Sequence, residues 1–229
     1  MRLLSYNIHG CVGRGGKTDP DAIIKVIREA DADVVALQEV HDDNDMDRGF
    51  LRALKCELDY PSVIYDPIVQ LPQTRCGNVL MTRLQPRVEK RLDLSWKSRE
   101  PRGAIRVLVR HDPHEIEITA AHLGLAPAER RAQLQSLIEP GIQPDNPDII
   151  RILMGDLNEW FPFGRAGRML RQRFGAVKTV KTFPARWPLF ALDRVHVRQT
   201  EWPVKKRVLT SRAARTASDH LPLVAELDF

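Results

Sequence analysis

The chain has 229 residues, of which 43% are hydrophobic and 28% are charged, and its formal net charge is +5. These proportions are those of ordinary globular proteins, and they exclude the disordered and fibrous classes. A chain of this length buries enough surface to fold without disulfides, as one large domain or two small ones. Because no low-complexity linker or composition break divides it, we expect one domain over residues 1–229.

The first half of the chain alternates strand-like and helix-like segments. Leu3–Ile8 predicts a strand, and Asp19-Pro20-Asp21 predicts a helix start, because it combines an N-cap acceptor, a first-turn proline and an acidic first turn. Val34–Val40 predicts a buried strand, and a second helix is predicted between Asp47 and Leu58. Five further strands are predicted at Ser62–Tyr65, Asn78–Thr82, Val88–Leu94, Ala104–Arg110 and Glu115–His122.

The second half continues the alternation. Helices are predicted at Pro127–Ile138 and Arg165–Phe174, on either side of a buried strand at Ile149–Met154. The last predicted strands are Leu192–Val197, Val204–Thr210 and Leu221–Leu227. The chain is too rich in strands for a simple doubly wound sheet. We therefore expect two packed sheets flanked by helices.

Cysteine usage and hydropathy narrow the setting of the protein. Cys11, Cys56 and Cys76 are odd in number and lack Cys-x-x-Cys spacing, which argues against a disulfide framework and a cysteine zinc site. No signal peptide precedes the first apolar run, and no apolar stretch reaches the roughly 18 residues that span a bilayer. We therefore expect a cytoplasmic monomer without an integral membrane segment.

The basic residues are concentrated in one stretch. Residues 160–215 hold 14 Lys and Arg against Asp193 and Glu201, a net charge of +12, while the rest of the chain carries −7. A polyanionic partner such as nucleic acid, a phospholipid surface or a phosphorylated small molecule would suit this stretch. A solvated Arg-rich face explains the same charge.

Five polar clusters follow or interrupt apolar strands. Polar groups at the ends of core strands cost desolvation free energy unless they are paired, bind a ligand or reach solvent. Each cluster alone has a structural explanation, whereas five together favour a functional site. They are Tyr6-Asn7-Ile8-His9, Leu37-Gln38-Glu39-Val40, Ala121-His122-Leu123, Gly155-Asp156-Leu157-Asn158 and Ser218-Asp219-His220-Leu221-Pro222.

Spacing within these clusters predicts which side chains meet. In extended chain Asp156 and Asn158 face the same side, and the preceding Gly155 permits a tight turn or a close backbone approach. Asp219 and His220 are adjacent, so their side chains should diverge. A His220 base would therefore need another carboxylate, for which Asp193 is available.

The inventory of side chains excludes several chemistries. No three-histidine or cysteine ligand set suggests zinc, while carboxylates and carboxamides are the oxygen donors that Mg²⁺ or Mn²⁺ prefers. The nucleotide motifs Gly-x-x-x-x-Gly-Lys-Ser/Thr and Gly-x-Gly-x-x-Gly are missing from the sequence, as is the hydrolase motif Gly-x-Ser-x-Gly.

The ordered set Asn, Gln-Glu, His-Leu, Gly-Asp-x-Asn, Leu-Asp-Arg and Ser-Asp-His resembles the endonuclease/exonuclease/phosphatase superfamily, over nearly the whole chain. The resemblance implies a four-layer α/β sandwich and Mg²⁺- or Mn²⁺-dependent phosphodiester hydrolysis. The metal-site residues that it implies are Glu39, Asn7 and Asp219. The catalytic residues that it implies are His220, Asp193, Asp156, Asn158 and His122. It also implies phosphate contacts by Arg102 and, more weakly, Asn78.

The general base and the substrate stay open at this point. His220, oriented by Asp193, is the first candidate for the base and Asp156 is the second. Trp187, with Phe183, Phe190 and the interleaved Arg186, could stack a base or line a sugar pocket, or simply pack a loop.

Three functions compete. The basic stretch favours a DNA or nucleic-acid endonuclease or exonuclease, with a basic rim for phosphate beside the acidic metal site. The sequence Tyr6-Asn7-Ile8-His9 resembles instead the phosphatase and phospholipase members, which act on lipid or inositol phosphates. A non-catalytic phosphate- or nucleic-acid-binding protein on the same fold is the third.

Overall fold

The computed structural model describes residues 1–43, 49–70, 74–138, 142, 146–161, 164–198 and 203–228. Its strands are β1 (Arg2–Asn7), β2 (Val34–Asp43), β3 (Ser62–Gln70), β4 (Thr74–Thr82), β5 (Pro86–Asp93), β6 (Gly103–His111), β7 (His114–His122), β8 (Ile149–Asp156), β9 (Asp193–Arg198), β10 (Val204–Val208) and β11 (Leu223–Leu227). Its α-helices are α1 (Pro20–Ala30), α2 (Phe50–Glu57), α3 (Pro127–Ile138), α4 (Arg165–Phe174) and α5 (Arg212–Thr216).

The strands form two mixed sheets. The first has the order β10-β11-β1-β2-β4-β3, and the second has the order β5-β6-β7-β8-β9. Strands β1 and β2 run parallel at the centre of the first sheet, and β7 and β8 run parallel in the second. Parallel neighbours end at the same edge of a sheet, so polar residues at their carboxyl ends are brought together.

Three apolar clusters hold four layers together. Leu3, Ala36 and Met154 belong to the cluster between the sheets. Ile23 of α1 packs with Leu4 and its neighbours on the outer face of the first sheet, and α3 and α4 cover the second sheet in the same way. The four-layer sandwich predicted from the resemblance is thus confirmed, and β2 is buried on both faces as its apolar run predicts.

The predicted strands are present, but β3 and β4 are five and four residues longer than predicted. Asp19 caps α1 by accepting from Ala22 N at 3.0 Å, and α3 and α4 have the predicted bounds. The predicted start of the second helix, Asp47, lies outside the described residues. The short helix α5, which Ser211 caps, was not predicted. Among the residues described here, no helix has the length and apolar character needed to cross a membrane.

Candidate active site

Three predicted catalytic residues form a row across the second sheet. The register places His122 of β7 opposite Asp156 of β8, and Asp156 opposite Asp193 of β9. All three side chains are buried. Strand pairing alone therefore brings together residues that are up to 71 positions apart in the sequence.

Asn7 joins this row to the first sheet. Its Nδ2 donates to Glu39 Oε1 at 2.8 Å and to Asp156 Oδ2 at 3.1 Å. Its Oδ1 accepts from the backbone N–H of His9 at 3.0 Å. The carboxamide thus holds one carboxylate from each sheet, and its oxygen already has a donor.

Glu39 lies in a β-bulge. The register between β2 and β4 shifts between Leu37 and Val40, and Glu39 has a φ of +54°, in the left-handed region. Bulges redirect a side chain, and a left-handed backbone at a non-glycine residue costs roughly 1–3 kcal/mol. The bulge leaves the Glu39 side chain 31% exposed at the cavity.

The Gly155–Asn158 segment reaches the site through a close approach and a turn. A Cβ on Gly155, whose φ is +136°, would lie 1.9 Å from the carbonyl oxygen of Ala121, so the predicted close backbone approach is confirmed. The extended geometry expected for Asn158 is wrong, because its φ is +48°. It stays beside Asp156 because its backbone N–H donates to Asp156 Oδ1 at 2.9 Å.

His220 pairs with Asp193, as the sequence predicts. The distance from His220 Nδ1 to Asp193 Oδ2 is 2.8 Å, and His220 Nε2 lies 3.8 Å from Asp156 Oδ2. Asp219 points elsewhere. It is 43% exposed, its carboxylate lies 3.9 Å from His9 Nδ1, and it does not line the cavity.

The two site histidines carry opposite pKa shifts. Burial lowers the pKa of His122 to about 4, so the ring is neutral, its 3.7 Å approach to Asp156 is not an ion pair, and Nε2 can accept from Asn158 Nδ2 at 3.2 Å. Burial also disfavours the protonated form of His220. The nearby carboxylates, Asp193 first, outweigh it and raise the pKa of His220 to about 9. Burial raises the pKa of Asp156.

Five of the site residues line a cavity of about 350 Å³: Glu39, His122, Asp156, Asn158 and His220. Its lining includes two predicted phosphate-contacting residues, Arg102 and Asn78. Arg102 donates to the Glu100 carboxylate at 3.0 Å, and Asn78 Nδ2 donates to the Gly103 carbonyl at 2.9 Å. Asn78 thus has a structural bond as well as a place in the wall.

The aromatic wall differs from the predicted one. Phe183 lies 4.8 Å from the His220 ring, centroid to centroid, and Trp160 packs edge-on against Phe183 at 5.8 Å. Trp187, predicted to bind substrate, is 70% exposed and does not line the cavity. Trp160 was missed, although an aromatic residue two positions after Gly-Asp-x-Asn could have drawn notice.

Among the described residues of the stretch 160–215, no lysine or arginine lines this cavity. Within the described part of the chain, Arg102 is the one lysine or arginine among the lining residues. Arg194 is buried and donates to the carbonyl of Glu159 at 2.7 Å, and Arg165 and Arg168 are exposed on α4. The described cations of the stretch thus occupy both buried and exposed positions outside the cavity lining.

The donors partly fit a divalent cation. The Glu39 carboxylate faces the cavity and accepts one hydrogen bond, from Asn7, which leaves oxygen lone pairs for Mg²⁺ or Mn²⁺. The metal roles of Asn7 and Asp219 stay predictions, since Asn7 Oδ1 accepts one hydrogen bond and Asp219 lies outside the cavity lining. No group of three His, Cys, Asp or Glu residues in the described ranges forms a ready metal cage. Mg²⁺ commonly binds through one or two carboxylates plus water and phosphate, so Glu39 fits this mode.

The chain is similar to known proteins in sequence and in fold. Residues 4–220 match the model of the Endonuclease/Exonuclease/phosphatase family. YbhP of Escherichia coli (strain K12) is 28% identical over 99% of this chain and 96% of its own length.

Among solved structures, a family protein from Leptotrichia buccalis has a TM-score of 0.78 at 18% identity, with both chains fully covered. D. rerio TDP2, complexed with single strand DNA product, has a TM-score of 0.71 at 15% identity and covers 100% of this chain and 99% of its own. The chain therefore belongs to the endonuclease/exonuclease/phosphatase family, whose members are generally phosphoric ester hydrolases.

Proposed function

We propose that the protein is a divalent-metal-dependent phosphodiester hydrolase, acting as a single domain over residues 1–229. The observation that carries the proposal is the row His122, Asp156 and Asp193, joined to Glu39 through Asn7 and closed by His220. A phosphodiester is already anionic, so its hydrolysis needs a site that absorbs further negative charge.

Each residue has a role that its contacts support. Asp156 orients the attacking water and takes its proton, and this role is supported by the two donors, Asn7 and the Asn158 backbone, that hold its carboxylate. Water oxygen bonds to phosphorus, the ester P–O bond breaks, and the proton passes to the released alcohol. His220, held by Asp193, hydrogen-bonds a phosphate oxygen through Nε2. Asp156 is thus the first candidate for the general base and His220 the second, the reverse of the order that the sequence favours.

The remaining groups position the phosphate. Asn158 and His122 are expected to contact its oxygens, and Arg102 offsets its charge from the opposite wall. Mg²⁺ or Mn²⁺ held by Glu39 would supply Lewis-acid stabilisation of the transition state. We propose no direct metal contact for Asp219.

Two substrate classes have support. The DNA product in the D. rerio TDP2 structure belongs to that protein, and by likeness it favours a nucleic-acid strand here, with endonuclease or exonuclease action. The apolar surroundings of this cavity favour a lipid phosphodiester instead. Leu125, Trp160 and Phe183 line it. Arg102 is the one lysine or arginine among the described lining residues.

A substrate panel tests the proposal. The wild-type protein is assayed on a nitrophenyl phosphodiester, single- and double-stranded DNA, RNA, phospholipids and inositol phosphates, with Mg²⁺, Mn²⁺ or EDTA. We expect turnover with either metal and its loss in EDTA. Asn158→Ala and His220→Ala should each lower turnover about 10²–10⁴-fold.

The control is Arg186→Ala, a change at an exposed residue outside the cavity. Its turnover of the soluble diester should equal that of the wild type. Mg²⁺ binding by calorimetry without turnover of any substrate would contradict the proposal and favour a binding protein. Unchanged turnover in both site variants, with folding verified by circular dichroism, would refute the residue assignment.

A further inference from the structure

The exposed large hydrophobic side chains of the described residues share one location. They lie on three loops, which follow β7, follow β8 and precede β9. We call them the apolar rim: Leu125, Phe161, Trp187, Leu189 and Phe190. Large exposed apolar side chains concentrated at one edge of a sheet indicate an interaction surface.

The apolar rim lies on loops at the active-site edge of the second sheet, and its Leu125 lines the cavity. Strands β7, β8 and β9 are neighbours, and the edge from which these loops leave is the edge that holds His122, Asp156 and Asp193. The Trp160 ring links two of the loops, because it contacts Phe183 at 5.8 Å and Phe190 at 5.0 Å. The rim is thus attached to the catalytic wall.

The most exposed part of the rim is a hairpin held by backbone bonds. Leu189 N donates to the Phe183 carbonyl at 2.8 Å, and Ala185 N donates to the Asp219 carbonyl at 2.7 Å. Trp187 and Leu189 at its tip are 70% and 61% exposed. Backbone hydrogen bonds fix the conformation of this turn. Its exposed apolar side chains are therefore available to a partner.

Cations lie between the rim residues. Arg186 precedes Trp187 at the hairpin tip, and Arg131 and Arg165 line a second hollow beside Phe161. All three are exposed. Apolar and aromatic side chains interleaved with arginine are the composition that binds the interface of an anionic bilayer, where tryptophan is enriched.

We propose that the apolar rim docks the protein on an anionic phospholipid surface, and that the site's substrate class is the phosphodiester of a phospholipid in that surface. This rests on the proposed function. The rim mixes two leucines with three aromatic residues, and Arg102 is the one lysine or arginine among the described residues that line the cavity, which suits a single headgroup better than a long polyanion.

The test compares a rim variant with the wild type on two substrates. Trp187→Ser/Leu189→Ser is assayed with vesicles of equal phosphatidylcholine and phosphatidylglycerol, by co-sedimentation and by phospholipid hydrolysis with Mg²⁺. We expect vesicle binding and vesicle hydrolysis to fall at least tenfold, while turnover of the soluble nitrophenyl phosphodiester is unchanged. Phosphatidylcholine vesicles should bind the wild type more weakly, because Arg131, Arg165 and Arg186 then lack an anionic partner.

The matched control is Lys25→Ser/Lys55→Ser, which changes two exposed residues on α1 and α2 of the other sheet's outer layer and should retain vesicle binding. Wild-type protein that hydrolyses the soluble diester but ignores vesicles would overturn the docking surface and leave the proposed function intact. If the rim variant lost binding of a single-stranded oligonucleotide but kept vesicle binding, the phospholipid proposal would be overturned in favour of nucleic acid. No turnover of the soluble diester would mark failure of the proposed function itself.

Discussion

Two histidines have pKa values shifted in opposite directions, although both are buried. His220 faces Asp193 and Asp156 at the active-site edge, and its pKa is raised to about 9. His196, three residues after Asp193 on β9, lies under α4 against Phe174, and burial lowers its pKa to about 3, with Lys206 and Arg194 adding to the effect. Neither ring nitrogen of His196 has a hydrogen-bond partner among the described residues.

The comparison teaches that burial alone does not decide the charge of a histidine in this protein. Burial disfavours the protonated form at both positions, and only the carboxylates beside His220 reverse the outcome. Strand β9 therefore holds both Asp193, which favours the protonated form of His220, and His196, which stays neutral.

The largest expected effect comes from removing Asp193, the carboxylate that makes the pKa of His220 differ from that of His196. Asp193→Asn should lower metal-dependent turnover about 10²–10⁴-fold, because His220 loses both its orientation and its stabilised proton. The pKa of His220 should fall from about 9, since burial then meets less opposition. Turnover assays and histidine proton titration by NMR measure the two effects, and normal turnover with a pKa near 9 would refute the pairing.

A smaller effect is expected on stability at acid pH. The folded pKa of His196, about 3, lies below its ordinary value of 6.5, so between these pH values the unfolded chain binds a proton that the folded chain refuses. His196 therefore destabilises the fold as pH drops below 6.5, by up to about 1.4 kcal/mol per pH unit, and has no such effect above it.

His196→Phe keeps the ring and removes the titration. Urea unfolding at about pH 7.5 and about pH 4.5 should show a smaller loss of stability on acidification than in the wild type. Turnover should be unchanged, because His196 lies outside the active site. An identical acid loss in both proteins would mean that His196 titrates normally.

His220 should act in the opposite pH direction. Its folded pKa, about 9, lies above the ordinary 6.5, so its contribution to stability is complete below pH 6.5 and is lost as pH rises through about 9. Comparing unfolding free energies of wild type and His220→Gln across this window measures the contribution. A difference that is independent of pH would contradict the raised pKa.

The smallest expected effect concerns Lys206. Burial lowers its own pKa to about 8, and its ammonium hydrogen-bonds the Val195 carbonyl near His196. Lys206→Met should raise the pKa of His196 only slightly, because burial is the larger cause. NMR titration of His196 checks this, and a rise to about 6.5 would show that charge rather than burial dominates there.

Much of this architecture could be predicted from local sequence. Apolar periodicity gave α3 and α4 their bounds, and the Asp19-Pro20 cap gave the start of α1. The divergence of adjacent side chains argued against Asp219 as the partner of His220, and the family resemblance implied Asp193, which lies 2.8 Å from His220 Nδ1. These inferences succeed because they depend on neighbouring residues and backbone geometry.

Features that depend on distant partners could not be predicted in this way. The left-handed backbone of Glu39 arises from the register between β2 and β4, and that of Asn158 from the turn after β8. Trp160 reaches the cavity only through this turn, whereas Trp187 is carried outward by its hairpin. The basic stretch failed as a guide to the cavity, since a net charge over residues 160–215 says nothing about which surface each residue occupies.

Hydrolysis of a soluble nitrophenyl phosphodiester, measured with Mg²⁺ and with EDTA for wild type and Asp156→Asn, tests the central claim most directly. Asparagine keeps the shape of Asp156 and removes the carboxylate proposed to take the proton of water. We expect turnover by the wild type with Mg²⁺, its loss in EDTA, and at least a 10²-fold decrease in the folded variant. Equal turnover by the two proteins, or turnover that survives EDTA, would contradict it.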